Sequence, residues 1–148
     1  MSEICINHIE NYWKAKTTTS NVLFNKGQFK EALLGYKNAL YRAEILNMNQ
    51  SDCIRNNTPF MQIYIISCNN IANTYKELNL FEETENTLKR IVYYLLYLSH
   101  NNDLNIAEVR TELKRATTTY VNFIKENQKD KKQQETLFTV LKERLKEV

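Results

Sequence analysis

The sequence contains very few residues that break helices: two glycines and one proline among 148 residues. A fold made of many β-hairpins needs such residues in its turns, so their scarcity argues against a β-rich fold. Asparagine, leucine, lysine and glutamate are the most frequent of the remaining residues. We therefore predict an all-α protein, with residues 1–148 forming a single domain of a size that buries about two-thirds of its unfolded surface.

Long hydrophobic segments are also absent. The longest apolar run, Ile91 to Leu98, has eight residues, whereas a membrane-spanning helix needs about 20. The N-terminal residues are acidic and polar where a signal peptide needs a basic start and an apolar run. The three cysteines are odd in number and lack C-x-x-C spacing, which is typical of free thiols in a reducing compartment. We expect a cytoplasmic protein that does not bind a membrane.

Nothing in the sequence indicates catalysis or binding of a metal, a cofactor or nucleic acid. The 20 basic and 17 acidic residues give a net charge of +3, and they alternate along the chain instead of forming a basic patch. His8 and His100 lie far apart, the cysteines show no ligand spacing, and there is no glycine-rich phosphate loop. We therefore predict a protein that is not an enzyme and needs no cofactor.

The segment from Leu23 to Glu44 predicts the end of one helix, a tight turn and the start of a second helix. Gly27 can adopt the left-handed conformation that ends a helix, and Phe29 can pack back over the turn. An apolar stripe follows at spacings of three and four residues: Ala32, Tyr36, Ala39, Leu40 and Ala43. The spacing G-x-F-x-x-A-x-x-x-Y-x-x-A-L resembles the second half of a tetratricopeptide repeat. This resemblance, to short bacterial proteins of that family, implies a right-handed stack of about three antiparallel helix pairs.

A second copy of the motif begins at Asn79, because asparagine is the residue after glycine that best tolerates the left-handed conformation. Phe81, Thr84, Leu88 and Ile91 then follow at the offsets that Phe29, Ala32, Tyr36 and Ala39 have from Gly27. The two turns are 52 residues apart, more than the family period of about 34. Part of the excess is a predicted loop from Asn47 to Thr58.

The remaining helices are predicted from periodicity and capping residues. The first three should cover residues 3–25, 28–47 and 59–78, with Thr58 as the N-cap of the third, and a fourth should follow the turn at Asn79. The run from Ile91 to Leu98 is apolar all round, which is typical of a helix buried on every side, either inside the stack or against a second molecule. Asn105 and Glu108 have capping-box spacing before a fifth helix. A break near residues 127–132 should precede a terminal capping helix whose apolar face is formed by Leu137, Phe138, Leu141, Leu145 and Val148.

The resemblance also implies where a partner would bind. In tetratricopeptide proteins the first helix of each pair lines a concave groove. Alignment of the turns at Gly27 and Asn79 makes Asn21 equivalent to Asn73, and side-chain amides at such positions can hydrogen-bond to the backbone of an extended peptide. The candidate partner-binding residues are Asn21, Asn25, Asn69, Asn73 and Lys76. The chain has 19 asparagines, so chance coincidence is an alternative explanation.

Two further readings of the sequence stay open. The family's clamp for a C-terminal carboxylate would use Asn21, Asn70 and either Lys114 or Arg115, but Thr17 occupies the place of its first lysine. The tyrosines Tyr93, Tyr94 and Tyr97 would be core or dimer contacts rather than a binding platform. We predict a protein–protein interaction adaptor, with a self-assembling subunit that dimerises through the fourth helix as the alternative.

Overall fold

The computed structural model describes residues 1–146, except for the side chains of residues 129–131, 133, 134 and 145. The helices are α1 (Glu3–Asn25), α2 (Phe29–Asn47), α3 (Gln50–Arg55), α4 (Phe60–Glu77), α5 (Phe81–Leu98) and α6 (Ile106–Lys146). No strand occurs among the described residues, so the prediction of an all-α fold is confirmed. The chain divides into two compact units, residues 1–91 and residues 92–148.

The two predicted helix turns have the same backbone geometry. Gly27 has φ of +77° and Asn79 has φ of +60°. Beyond Gly27, the Gln28 amide donates to the Leu23 carbonyl at 3.0 Å. At the second turn, the Leu80 amide donates to the Tyr75 carbonyl at 2.9 Å. Both are Schellman motifs, in which a left-handed residue lets the last carbonyls of the helix find donors.

The helices that follow these turns also bury equivalent positions. Ala32, Tyr36 and Ala39 are buried on α2, and the aligned residues on α5 are buried as well. Those α5 residues are Thr84, Leu88 and Ile91. The Phe24 and Phe29 rings meet edge to face with centroids 5.1 Å apart, which confirms that Phe29 packs back over the first turn. The repetition predicted from the sequence is therefore present as two turns and two matching buried stripes.

In the unit formed by residues 1–91, α2 packs against both α1 and α4. Ala32, Tyr36 and Ile71 form a buried cluster, with Leu23, Phe24, Leu33, Leu40 and Tyr75 packed around it. On α1, the buried residues are Ile6, Trp13, Thr17 and Ser20, whereas Cys5 and Tyr12 are exposed.

The segment after α2 is not the loop that the sequence predicted. Residues Gln50–Arg55 form the short helix α3. Its single buried residue is Cys53, whose thiol donates to the Leu46 carbonyl at 3.4 Å. Six residues are too few to show a helical period, so the pattern of this segment predicted only a polar connection.

The expected N-cap of α4 was displaced by one residue. Pro59, not Thr58, occupies the N-cap position. The buried Thr58 hydroxyl accepts a hydrogen bond from the Asn56 side chain at 2.9 Å.

Within one chain, the end of α5 is not buried on every side, so the burial that its apolar composition predicts would require a second molecule. Leu95 and Leu98 are fully buried, but Tyr93 and Tyr97 are 67% and 73% exposed, and Leu96 is exposed too. The burial follows helical spacing, and the two exposed tyrosines carry hydroxyls that water can solvate.

The break predicted near residues 127–132 is also wrong. α6 continues through this region for 41 residues, a length of about 62 Å. The polar residues there include no glycine or proline, and lysine, glutamine and glutamate favour helix. There is consequently no separate capping helix. Leu137, Phe138 and Leu141 are exposed, while the Leu145 side chain and Val148, which the sequence placed on the same face, lie outside the described residues.

The first part of α6 carries a stripe formed by Val109, Leu113, Ala116, Tyr120 and Phe123. Val109 and Phe123 are buried, and the stripe residues between them are partly buried. The Glu108 amide donates to the Asn105 side chain at 3.3 Å, which is one of the hydrogen bonds of the predicted capping box. Glu112 is also buried, and its carboxylate pairs with Arg115 at 2.9 Å.

Candidate partner-binding surface

The predicted binding residues lie on α1 and α4, two helices that a buried hydrogen bond links. The indole nitrogen of Trp13 on α1 donates a hydrogen bond to the Ser67 hydroxyl on α4 at 2.7 Å, and both side chains are buried. Ser67 in turn donates to the Ile63 carbonyl at 2.9 Å. A buried hydrogen bond of this kind contributes roughly 1 kcal/mol and costs more when only one partner is removed. The pair therefore fixes the first helix of one hairpin beside that of the next.

Water reaches every one of the predicted residues. Asn21 and Asn25 on α1 are exposed, as are Asn73 and Lys76 on α4, while Asn69 is half-buried. We call these five residues the α1/α4 surface. Asn21 and Asn73 each precede a left-handed residue by six positions, so they occupy the same place relative to the turn in both hairpins.

Asn21 also has a structural role that sequence reasoning missed. Its side-chain oxygen accepts a hydrogen bond from the hydroxyl of Tyr36 on α2 at 2.5 Å. Burial raises the pKa of Tyr36, which keeps the phenol in its protonated, donating form. The amide oxygen of Asn21 is thus used within the hairpin, and the amide nitrogen is the group with which Asn21 would contact a partner.

The carboxylate clamp fits this surface less well. Thr17, which stands where the first lysine of the clamp would be, is only 9% exposed. Its hydroxyl has no hydrogen-bond partner among the described residues. Asn70 is half-buried, and its backbone carbonyl accepts a bond from Thr74 at 2.7 Å. A buried threonine can supply neither the charge nor the access that a carboxylate requires.

A polar cluster around Arg90 was also missed by sequence reasoning. Arg90 on α5 donates from Nε to the Tyr64 hydroxyl on α4 at 2.8 Å and from Nη2 to Glu44 on α2 at 2.5 Å. Each partner comes from a different helix, and the three residues are widely separated in sequence. An alternating charge pattern predicts only solvated side chains, so no local signal could have revealed this connection.

Burial makes the two buried thiols poor nucleophiles. Burial raises the pKa of Cys68 to about 11, and burial is also the main reason that the pKa of Tyr64 rises to about 12. Burial raises the pKa of Cys53 as well. Because the thiolate is the reactive form of cysteine, these two thiols are protonated and unreactive near neutral pH. The hydrogen bonds of Arg90 join α5 to α4 and α2.

Among the described residues, no group of three or more histidine, cysteine or acidic side chains could hold a metal ion. Within those residues, no helix combines the length and the apolar character that crossing a membrane requires.

Comparison with known proteins gives a family and no function. Neither the curated proteins nor the solved structures contain a match to this chain. Residues 11–142 match a family described as "Protein of unknown function (DUF2753)". This range includes α2 to α5 and most of α1 and α6. The chain therefore belongs to the DUF2753 family of proteins of unknown function.

Proposed function

We propose that this protein is a non-enzymatic adaptor that binds an extended segment of a partner protein on the α1/α4 surface, within a tetratricopeptide-like arrangement of helix pairs. The observation that carries the proposal is the equivalence of the two hairpins. Both have a Schellman turn, both bury the same three positions on the following helix, and both carry an asparagine six residues before the turn.

The chemistry of the surface suits a peptide backbone. Asparagine amides can donate to the carbonyls and accept from the amides of an extended chain, without selecting particular side chains. Asn25 and Asn73 are exposed. Lys76, one turn beyond Asn73, adds a positive charge that favours an acidic residue in the partner.

The test replaces amides that have no described structural role. Asn21 is left intact, because its removal would leave the buried Tyr36 hydroxyl without its partner and destabilise the hairpin. The double variant Asn25→Ala/Asn73→Ala should lose roughly 1 kcal/mol of binding free energy at each position, or about tenfold or more in affinity. Its thermal midpoint should stay within about a degree of wild type, because surface substitutions change stability little.

The measurement has two stages and a matched control. Affinity capture from cells that produce the protein identifies a partner, and calorimetric titration of the purified partner then gives its dissociation constant. Asn38→Ala removes an exposed amide from α2, which lies outside the α1/α4 surface, and should leave binding unchanged. Equal affinity of wild type and the double variant, or an equal loss in Asn38→Ala, would overturn the proposal.

A second candidate function is self-assembly through the exposed side of α5. Tyr93, Leu96 and Tyr97 present large apolar surfaces to solvent there, and exposed patches of this kind often mark interaction sites. Tyr97→Glu should then dissociate a dimer without loss of helical content, as light scattering and circular dichroism would show.

A further inference from the structure

The C-terminal part of α6, residues 135–142, which we call the outer end of α6, exposes large apolar side chains. Leu137 and Phe138 are 59% and 70% exposed, and Val140 and Leu141 are exposed as well. On the polar side of the same segment, the hydroxyls of Thr136 and Thr139 donate to carbonyls of their own helix at 2.9 and 3.0 Å. A concentrated apolar stripe on an exposed helix is unfavourable in water unless another surface covers it.

Two of these residues, Phe138 and Leu141, have the a-to-d spacing of a coiled-coil seam, whereas Val140 lies at position c, off the seam. With Phe138 at position a and Leu141 at position d, Leu137 takes position g. The e positions before and after this core are Glu135 and Lys142, both exposed. Glu135 lies three residues before Phe138, and Lys142 directly follows Leu141. Oppositely charged residues therefore flank the same side of the apolar stripe.

Charge complementarity indicates which partner and which orientation this stripe fits. In an antiparallel pair of helices, position a packs opposite d and position e lies beside e of the other chain. Two copies of this segment would place Phe138 of each against Leu141 of the other. Glu135 of each would then lie beside Lys142 of the other, so that two ion pairs form by symmetry. A parallel pair would place e beside g, where Lys142 would meet Leu137 and form no ion pair.

We propose that the outer end of α6 is a self-association surface, through which two copies of this protein pair in an antiparallel coiled coil centred on Phe138 and Leu141. This surface differs from the α1/α4 surface and from the exposed side of α5. Dimerisation through it would present two adaptor sites on one assembly, and two linked sites bind a repeated or dimeric partner more tightly than one.

Charge-swap variants test the pairing and its orientation together. Sedimentation equilibrium over micromolar to submillimolar protein should show wild-type mass rising from 17.6 kDa towards twice that value. Glu135→Lys and Lys142→Glu should each weaken association several-fold, because each turns two attractive pairs into two repulsive ones. The double variant Glu135→Lys/Lys142→Glu restores opposite charges and should return the dissociation constant to within about twofold of wild type.

Two further variants control for fold and for general charge effects. Phe138→Ser/Leu141→Ser should abolish association with unchanged circular dichroism, because both side chains are already exposed in one chain. Lys125→Glu changes charge at another exposed position of α6 and should leave association as in wild type. A wild-type protein that stays at 17.6 kDa throughout would overturn the proposal. So would a charge swap that fails to restore association, or a dimer that only Tyr97→Glu dissociates.

Discussion

Gly35 is the residue that shows how closely α1 and α2 approach each other. A Cβ placed on Gly35 would fall on the Ser20 hydroxyl and lie 3.2 Å from the Ser20 Cβ. Ser20 is buried, and its hydroxyl is held by a 2.8 Å bond to the Lys16 carbonyl. Glycine costs about 1 kcal/mol in a helix interior relative to alanine, so its presence in α2 is explained by this contact.

Gly35→Ala should therefore destabilise the protein, although alanine is the better helix former. Overpacking costs about 1–3 kcal/mol. Most of this range is larger than the gain in helix propensity from glycine to alanine, which is about 1 kcal/mol. Urea unfolding measures the change. In a Ser20→Ala background, which removes the clashing oxygen, the same substitution should cost at least about 1 kcal/mol less. An equal cost in both backgrounds would mean that the two helices are not in contact at this point.

At the residue scale, the sequence predicted features that depend on one residue type and its neighbours. It did not predict contacts between residues that are distant in the sequence. The left-handed conformations of Gly27 and Asn79 were predictable, because few residue types tolerate positive φ. The bond between Asn21 and Tyr36 joins residues 15 apart, and Arg90 joins residues 26 and 46 positions away. Such partners are defined by helix packing, which the residue pattern of a single segment does not contain.

At the scale of elements, the helices that follow strong turn signals were predicted well. α1, α2 and α4 begin and end within about two residues of their expected bounds. The errors occurred where the sequence carries no clear local signal for the start or the end of a helix. α3 is too short to show a period, and the continuous α6 was divided at a polar stretch that contains no helix-breaking residue.

The two turns also support a paired prediction about stability. A Cβ added at Gly27 would meet nothing within 4 Å, so any cost of Gly27→Val comes from backbone strain alone, about 1 kcal/mol or more. At the equivalent turn, Asn79→Gly should stabilise the protein by up to about 1 kcal/mol, because it relieves the same strain. Urea midpoints of the two variants test this. A neutral Gly27→Val or a destabilising Asn79→Gly would show that the turns are not equivalent.

At the scale of the whole molecule, the sequence indicated the fold class and the repetition of the hairpin in residues 1–91. It could not predict the exposure of the α5 and α6 stripes. Apolar periodicity shows which side of a helix avoids water, but not whether that side is covered within one chain or by another. The exposed tyrosines of α5 and the exposed Phe138 on α6 are therefore the places where structure adds most to the functional interpretation.

Amide hydrogen exchange of the protein with its captured partner tests the adaptor proposal most directly. Binding on the α1/α4 surface should slow exchange in the last turns of α1 and α4, which contain Asn21, Asn25, Asn73 and Lys76, because a bound chain shields their backbone and suppresses local opening. Exchange in the middle of α2, around Asn38, should change little. Protection confined to α5 or to the outer end of α6, with α1 and α4 unchanged, would contradict the proposal.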